Sequence, residues 1–178
     1  MVSIEKLQDL IKDNREDVDF AVSLSDTLVE ENTSDLDEIM RAINKEIVGN
    51  ENVSDFTIER YLIELTNAMY FISNRCEKFG FYDDITKANA RLKYNQMYSE
   101  NQLNNAANGK KVTNADNQLY AEMNSIDEST LNIIYSRSVR IIKSKLESAN
   151  EMIRTLSKIL SVHLNDINAT RMVRQNVE

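Results

Sequence analysis

The stretch VRIIKSKLESANEMIRTLSKILSVHLNDI (residues 139–167) decides the fold class. Its apolar residues recur every three or four positions, as they do along one face of an α-helix. At about 1.5 Å per residue this face is roughly 40 Å long, so we expect it to pack against another long helix. The series consists of Val139, Ile142, Leu146, Ala149, Ile153, Leu156 and Leu160, followed by His163 and Ile167.

A second series with the same spacing lies in residues 56–79. It consists of Ile58, Leu62, Leu65, Met69, Ile72, Cys76 and Phe79. This second helix is the obvious partner of the first within one chain, and another copy of the chain is the alternative. We therefore predict an all-α protein, a long antiparallel helical hairpin or coiled-coil bundle, and packing between copies of the chain is compatible with packing within it.

The composition excludes several other classes of protein. The 178 residues include no proline and only three glycines, too few for the frequent turns of a β-sandwich or barrel. A single cysteine, Cys76, cannot form an internal disulfide. No run approaches 18 apolar residues, and the charged stretch Met1–Leu10 is unlike a signal peptide. We expect a cytoplasmic protein without a membrane segment.

The three glycines predict where helices end, because glycine readily adopts the left-handed conformation that follows a helix. Gly49, Gly80 and Gly109 divide the chain into the blocks 1–48, 50–79, 81–108 and 110–178. The first block is predicted to form two or three short helices, over Val2–Ile11, Val18–Val29 and Leu36–Val48. Predicted N-caps are Ser34, Ser54 or Asp55, and Thr113. The third block has a short apolar stripe of Ile85, Ala88 and Leu92.

Charge is distributed unevenly along the chain. The net charge is −8, but residues 1–60 carry 16 acidic and 6 basic side chains, whereas residues 137–174 carry a net charge of +5. We predict an acidic helical appendage at 1–55 and a helical body at 56–178. The basic residues of the last helix either solvate the outer face of a coiled coil or contact a polyanion.

Neither catalytic nor metal chemistry is indicated. Cys76 and His163 are the only residues of their kinds, and no local signature pairs them as nucleophile and base. One histidine and one cysteine cannot form a zinc site, and three isolated glycines cannot form a phosphate-binding loop. We expect no enzymatic activity, no catalytic residue, no metal and no cofactor.

Aromatic residues cluster between Phe56 and Tyr98. Tyr94 and Tyr98 share a helical face near Lys87, Arg91 and Lys93, and cations beside aromatic rings are typical of single-strand binding. The alternative is that both rings pack in the core and only their hydroxyls reach the solvent.

Residues 86–98, TKANARLKYNQMY, resemble the UvsY-type recombination mediators of tailed phages. In that family a helix with a basic patch precedes a polar turn and a long C-terminal helix; here residues 90–94, 108–111 and 135–160 occupy those places. The resemblance covers about residues 57–167, and Asn89 stands where the patch prefers lysine. It implies a non-enzymatic homo-oligomer that binds single-stranded DNA coated by a single-strand-binding protein and helps to load a RecA-like recombinase.

The resemblance implies that Arg91, with Lys87 and Lys93 beside it, contacts the DNA backbone, and that Lys110 and Lys111 are second contacts. Charge patterning adds a stripe on the last helix: Arg137, Arg140, Lys143 and Lys145. We expect the acidic segment 1–55 to lie away from this cationic edge. Two alternatives remain open, a phage virion or assembly protein that forms a helical ring, and an acidic α-helical adaptor or inhibitor.

Overall fold

The described part of the chain forms four α-helices. A computed structural model describes the backbone of residues 15–50 and 53–175, and the side chains of residues 16–50 and 53–165. The helices are α1 (Arg15–Glu46), α2 (Asp55–Ala107), α3 (Asn114–Met123) and α4 (Ile126–Gln175). The described ranges contain no β-strand, so the all-α prediction is confirmed. None of the helices in these ranges carries an apolar stretch that could cross a bilayer.

Most of the predicted helix ends are confirmed. Gly49 and Gly109 have φ angles of +81° and +66° and follow α1 and α2. Ser54 caps α2, because its Oγ accepts a hydrogen bond of 3.1 Å from the backbone N–H of Thr57. Thr113 caps α3 in the same way, with its Oγ accepting from the N–H of Asp116 at 3.2 Å. These caps satisfy N–H groups that have no partner within their own helix.

Two predicted breaks are wrong. The helix α2 continues through Gly80, and α1 continues through Ser34, which lies in its interior rather than at an N-cap. A glycine inside a helix costs only about 1 kcal/mol relative to alanine, a cost that packing of the flanking turns outweighs. In α1 the buried Thr33 and Leu36 keep one face in the core on both sides of Ser34. The predicted helix Val2–Ile11 lies outside the described residues.

The chain forms two compact units. The first contains Met1–Val29 and Glu77–Arg140, and the second contains Glu30–Cys76 and Ile141–Glu178. The boundary predicted between residues 55 and 56 falls inside the second unit, immediately after the first residue of α2.

The second unit has an apolar core from three helices. Each of the two long apolar series contributes to it, and α1 adds its own buried face. Buried side chains are Leu36, Ile43 and Ile47 of α1, Ile58, Tyr61, Leu65, Ile72 and Cys76 of α2, and Ile142, Ala149 and Leu156 of α4. The members of the two series that the structure describes in this unit are therefore buried or half-buried within one chain.

The first unit has a more polar interior. Its buried side chains include Ser25, Ser138 and Asn117, and the hydroxyls of Ser25 and Ser138 lie 3.0 Å apart. The Asn101 amide donates to the Asn117 side-chain oxygen at 2.8 Å, which fastens α3 to the end of α2. Most of the exposed large apolar residues of the described chain also belong to this unit. The unit therefore gains less from apolar burial than the second unit does.

Candidate nucleic-acid interface

The predicted basic patch on α2 is divided between two faces of the helix. Lys87 and Arg91 are four residues apart and share one face, and both are exposed. Lys93 follows Arg91 by two residues, so its side chain leaves the helix about 160° away, and it is half-buried. Neither Lys87 nor Arg91 forms an ion pair with the described part of the chain. The structure brings together the first two predicted contacts and separates the third.

The predicted second contacts lie at the far end of α2. Lys110 and Lys111 are exposed in the turn between α2 and α3. From Arg91 to Ala107, where α2 ends, the helix axis extends about 24 Å. Lys110 and Lys111 therefore form a separate cationic group that only an extended ligand could reach together with Arg91.

Two of the four basic residues predicted on α4 are engaged by acidic residues of α1. Arg137 Nη1 lies 2.6 Å from Asp26 Oδ1. The Lys145 ammonium is paired with the Asp37 carboxylate and donates to Thr33 Oγ1 at 2.9 Å. The expectation that segment 1–55 lies away from all these cations is therefore wrong. It failed because the paired residues are more than 100 positions apart in the chain.

The other two predicted residues of α4 remain accessible. Arg140, in the first unit, and Lys143, in the second, are exposed and form no ion pair within the described ranges.

A surface recess lies beside the Lys87–Arg91 face. Arg91 and Tyr94 line one side of the recess, and residues at the end of α3 and the start of α4 line the other side. The full lining is Ala90, Arg91, Tyr94, Glu122, Ser125, Ile126 and Ser129. This recess combines a guanidinium, an aromatic ring and apolar side chains, which are the groups that contact a phosphate and a stacked base.

The two tyrosines have different surroundings. Tyr94 and Tyr98 are half-buried, and their rings lie 6.5 Å apart between centroids at an angle of 24°. Tyr98 packs toward α3, where its hydroxyl lies 3.5 Å from Asn114 Oδ1. Tyr94 lines the recess, so it is the ring that a base could reach.

Sequence reasoning missed the opposite wall of the recess. Glu122, Ser125 and Ser129 lie about 30 residues after Arg91, and no spacing rule connects them. The buried Ser125 donates its hydroxyl hydrogen to the Ala121 carbonyl at 2.8 Å, which shapes the wall. Glu122 introduces an acidic side chain that opposes an anionic ligand.

The two lone residues considered for catalysis lie far apart. His163 Nδ1 contacts Asp55 Oδ1 at 2.9 Å, at the start of α2. Cys76 is buried 21 residues further along the same helix, about 31 Å away along its axis. A nucleophile and base must lie within hydrogen-bond reach, so these two side chains do not form a catalytic pair. No group of acidic, histidine or cysteine side chains within the described residues could hold a metal ion.

No protein-family model, curated protein or solved structure significantly matches this chain.

Proposed function

We propose that the protein is a non-enzymatic accessory protein that binds single-stranded DNA, in the manner of phage recombination mediators. The observation that carries this proposal is the exposed Lys87–Arg91 pair beside the recess that Tyr94 lines. The two cations would contact successive phosphates, and the ring of Tyr94 would stack on a base. Such contacts read no particular base, because every base offers an aromatic face.

The partners in this proposal follow from the resemblance of residues 86–98 to the mediator family. They are single-stranded DNA, a single-strand-binding protein and a RecA-like recombinase, in the cytoplasm of a bacterial host. A net charge of −8 does not oppose this role, because binding depends on the local field around Lys87 and Arg91. Charges more than about 10 Å away are largely screened at ordinary salt concentrations.

The direct test is a fluorescence anisotropy titration with a labelled oligothymidylate at about 50 and 200 mM salt. Each phosphate contact on single strands contributes about −0.7 to the slope of log affinity against log salt. We expect Lys87→Ala to reduce that slope by about 0.7, and Lys87→Ala/Arg91→Ala by about 1.4. Lys158→Ala is the control, because Lys158 is exposed on α4 in the other unit.

Three further variants distinguish the contribution of the recess from that of the cations. Tyr94→Ala should weaken binding by roughly 1–3 kcal/mol and leave the salt slope unchanged, whereas Tyr94→Phe should bind normally. Glu122→Gln should strengthen binding, because it removes the acidic side chain from the recess. An absence of salt-dependent binding by the unmodified protein would overturn the proposal, and so would an equal effect of Lys158→Ala.

A second candidate function is that of a phage assembly protein that forms a helical ring. The exposed apolar side chains of the first unit favour it, because large uncovered apolar patches mark interaction surfaces. This function predicts self-association without salt-dependent DNA binding, so the titration above distinguishes the two. The acidic adaptor gains no similar support, since Asp26 and Asp37 are already paired with basic residues of α4.

A further inference from the structure

One face of α2 in the first unit is apolar and uncovered. Phe81, Ile85, Ala88 and Leu92 are spaced by four, three and four residues, and we call them the outer stripe. Phe81 is 65% exposed, Ile85 40% and Leu92 58%, and Ala88 is exposed as well. Their spacing is that of a coiled-coil seam, which requires a second helix with the same spacing.

The described residues of the first unit do not cover the outer stripe. The opposite side of α2 faces the interior, where Thr86 is buried and Ala90 and Met97 are half-buried. The contacts that hold α4 against α2 also lie on that inner side, with the Asn132 amide donating to Asp83 Oδ1 at 3.0 Å. The inner side of α2 is therefore covered within the unit, whereas the exposed apolar surface of the outer stripe costs free energy unless a second partner covers it.

We propose that the outer stripe binds the outer stripe of a second copy of this chain, in an antiparallel, two-fold symmetric helix pair. Antiparallel pairing around the midpoint of the stripe sets Phe81 against Leu92 of the second copy, and Ile85 against its Ala88. By symmetry each contact occurs twice, as in other two-fold interfaces between identical chains. All four apolar positions then meet apolar partners.

The charges beside the outer stripe are complementary in this arrangement. Asp84 and Arg91 flank the stripe on one side, both are exposed, and neither has an ion-pair partner in the described chain. The same pairing brings Asp84 next to Arg91 of the second copy, twice per dimer. Exposed ion pairs add little affinity, but they discriminate between registers.

Other registers are less favourable. A shift of seven residues in one direction brings the two Asp84 side chains together and sets Leu92 against Asn74. The opposite shift brings the two Arg91 side chains together and sets Phe81 against Ser99. A parallel pair sets Asp84 near Asn89 and Arg91 near Gln96, which provides no charge complementarity.

The interface would also bring the two Lys87 side chains onto one side of the helix pair. Lys87 and Arg91 lie on the same side of the stripe, so a two-fold antiparallel pair presents both residues of both copies there, with each Arg91 next to Asp84 of the other copy. The interface does not depend on DNA binding, and its test contains no DNA.

The first experiment is analytical ultracentrifugation of the full chain between about 1 and 100 µM. We expect a reversible dimer whose dissociation constant rises at least about tenfold in Leu92→Asp, because each dimer would bury two new carboxylates. Leu119→Asp is a matched control, since Leu119 is 57% exposed and lies on α3. Asp84→Arg should weaken the dimer, and Asp84→Arg/Arg91→Asp should restore it.

The second experiment identifies the direction and register of the helices. Phe81→Cys and Leu92→Cys proteins are mixed and mildly oxidised, and disulfide-linked peptides are identified by mass spectrometry. We expect links between positions 81 and 92. The native Cys76, only 4% exposed, should not compete.

Three results would overturn the proposed dimer. A strict monomer at about 100 µM overturns the proposal, as do links only between identical positions, which a parallel pair would give. Equal loss of the dimer in Leu92→Asp and Leu119→Asp also overturns it. Lys87→Ala should leave the dimer intact, so a failure of DNA binding and a failure of this interface are distinguishable.

Discussion

Gly80 and Gly109 show how one residue type serves two backbone states. Gly109 has a φ angle of +66°, which residues with a Cβ rarely adopt. Gly80 lies inside α2, where an added methyl group would enter open space. We expect Gly80→Ala to stabilise the protein by about 0.5–1 kcal/mol, because alanine favours the helix. Gly109→Ala should destabilise it by about 1 kcal/mol. Urea unfolding monitored by circular dichroism measures both values.

The pair provides its own control, because both substitutions add the same methyl group. If Gly80→Ala destabilised the protein, α2 would not be continuous through residue 80. That result would support the helix end that the sequence analysis predicted at Gly80. The positions of the glycines in the sequence do not show that Gly80 is helical and Gly109 is left-handed. The conformation of Gly80 depends on how the helical turns on both sides of it pack.

Single basic residues show where sequence reasoning about the site reached its limit. Lys87 and Arg91 are exposed and have no ion-pair partner in the described residues, as a contact with an anionic ligand requires. The engagement of Arg137 and Lys145 was not predictable, because their acidic partners on α1 come from a distant part of the chain. A pattern of charges identifies cations, but only tertiary packing determines which of them remain free.

At the level of the element, α3 depends on its capping box. The side chain and backbone of Thr113 donate hydrogen bonds to Asp116, and they hold the pKa of that carboxyl below its usual range. A lowered carboxyl pKa stabilises the folded state above the ordinary pKa of aspartate, and this contribution disappears as the pH falls through the lowered value. We expect Thr113→Ala to raise the Asp116 pKa toward its ordinary value and to cost about 1 kcal/mol. NMR titration of the Asp116 carboxyl measures the shift.

Thr113→Ser keeps the hydroxyl and is the matched control for this cap. An Asp116 pKa that stays equally low in Thr113→Ala would show that the hydroxyl hydrogen bond of Thr113 is not its cause, because the backbone N–H of residue 113 still donates in that variant.

The helices themselves were largely predictable. The two apolar series lie on long helices, and Ser54, Thr113, Gly49 and Gly109 mark ends, because these signals act within a few residues. The continuity of α1 through Ser34 was not predictable from the same signals. A serine in a helix interior carries the same local signature as an N-cap, and the buried residues beside it decide between them.

At the level of the whole molecule, the two units differ in what stabilises them. The second unit has an apolar core, whereas buried serine, threonine and asparagine side chains occupy much of the interior of the first. A satisfied polar contact contributes less than burial of a large apolar side chain. We expect amides of residues 142–156 to exchange with deuterium at least about tenfold more slowly than those of residues 84–98. Hydrogen exchange with mass spectrometry measures both ranges in one sample.

Both ranges lie in helix interiors, so differences in helix-end fraying do not affect this comparison. It is best made at the lowest practical concentration, because a dimer through the outer stripe would protect residues 84–98. Equal exchange rates in the dilute sample would mean that the polar interior of the first unit stabilises it as well as the apolar core stabilises the second.

The placement of charge on separate helices of the first unit has a practical consequence. Exposed Glu16 and Asp17 lie at the start of α1, whereas exposed Lys87 and Arg91 lie on α2. Such a molecule has an electric dipole moment as well as an overall negative charge of −8. It would be retained by an anion-exchange resin through its acidic surface, while its basic surface could still adsorb to heparin. Retention on an anion-exchange resin therefore does not exclude binding of a polyanion to the basic surface.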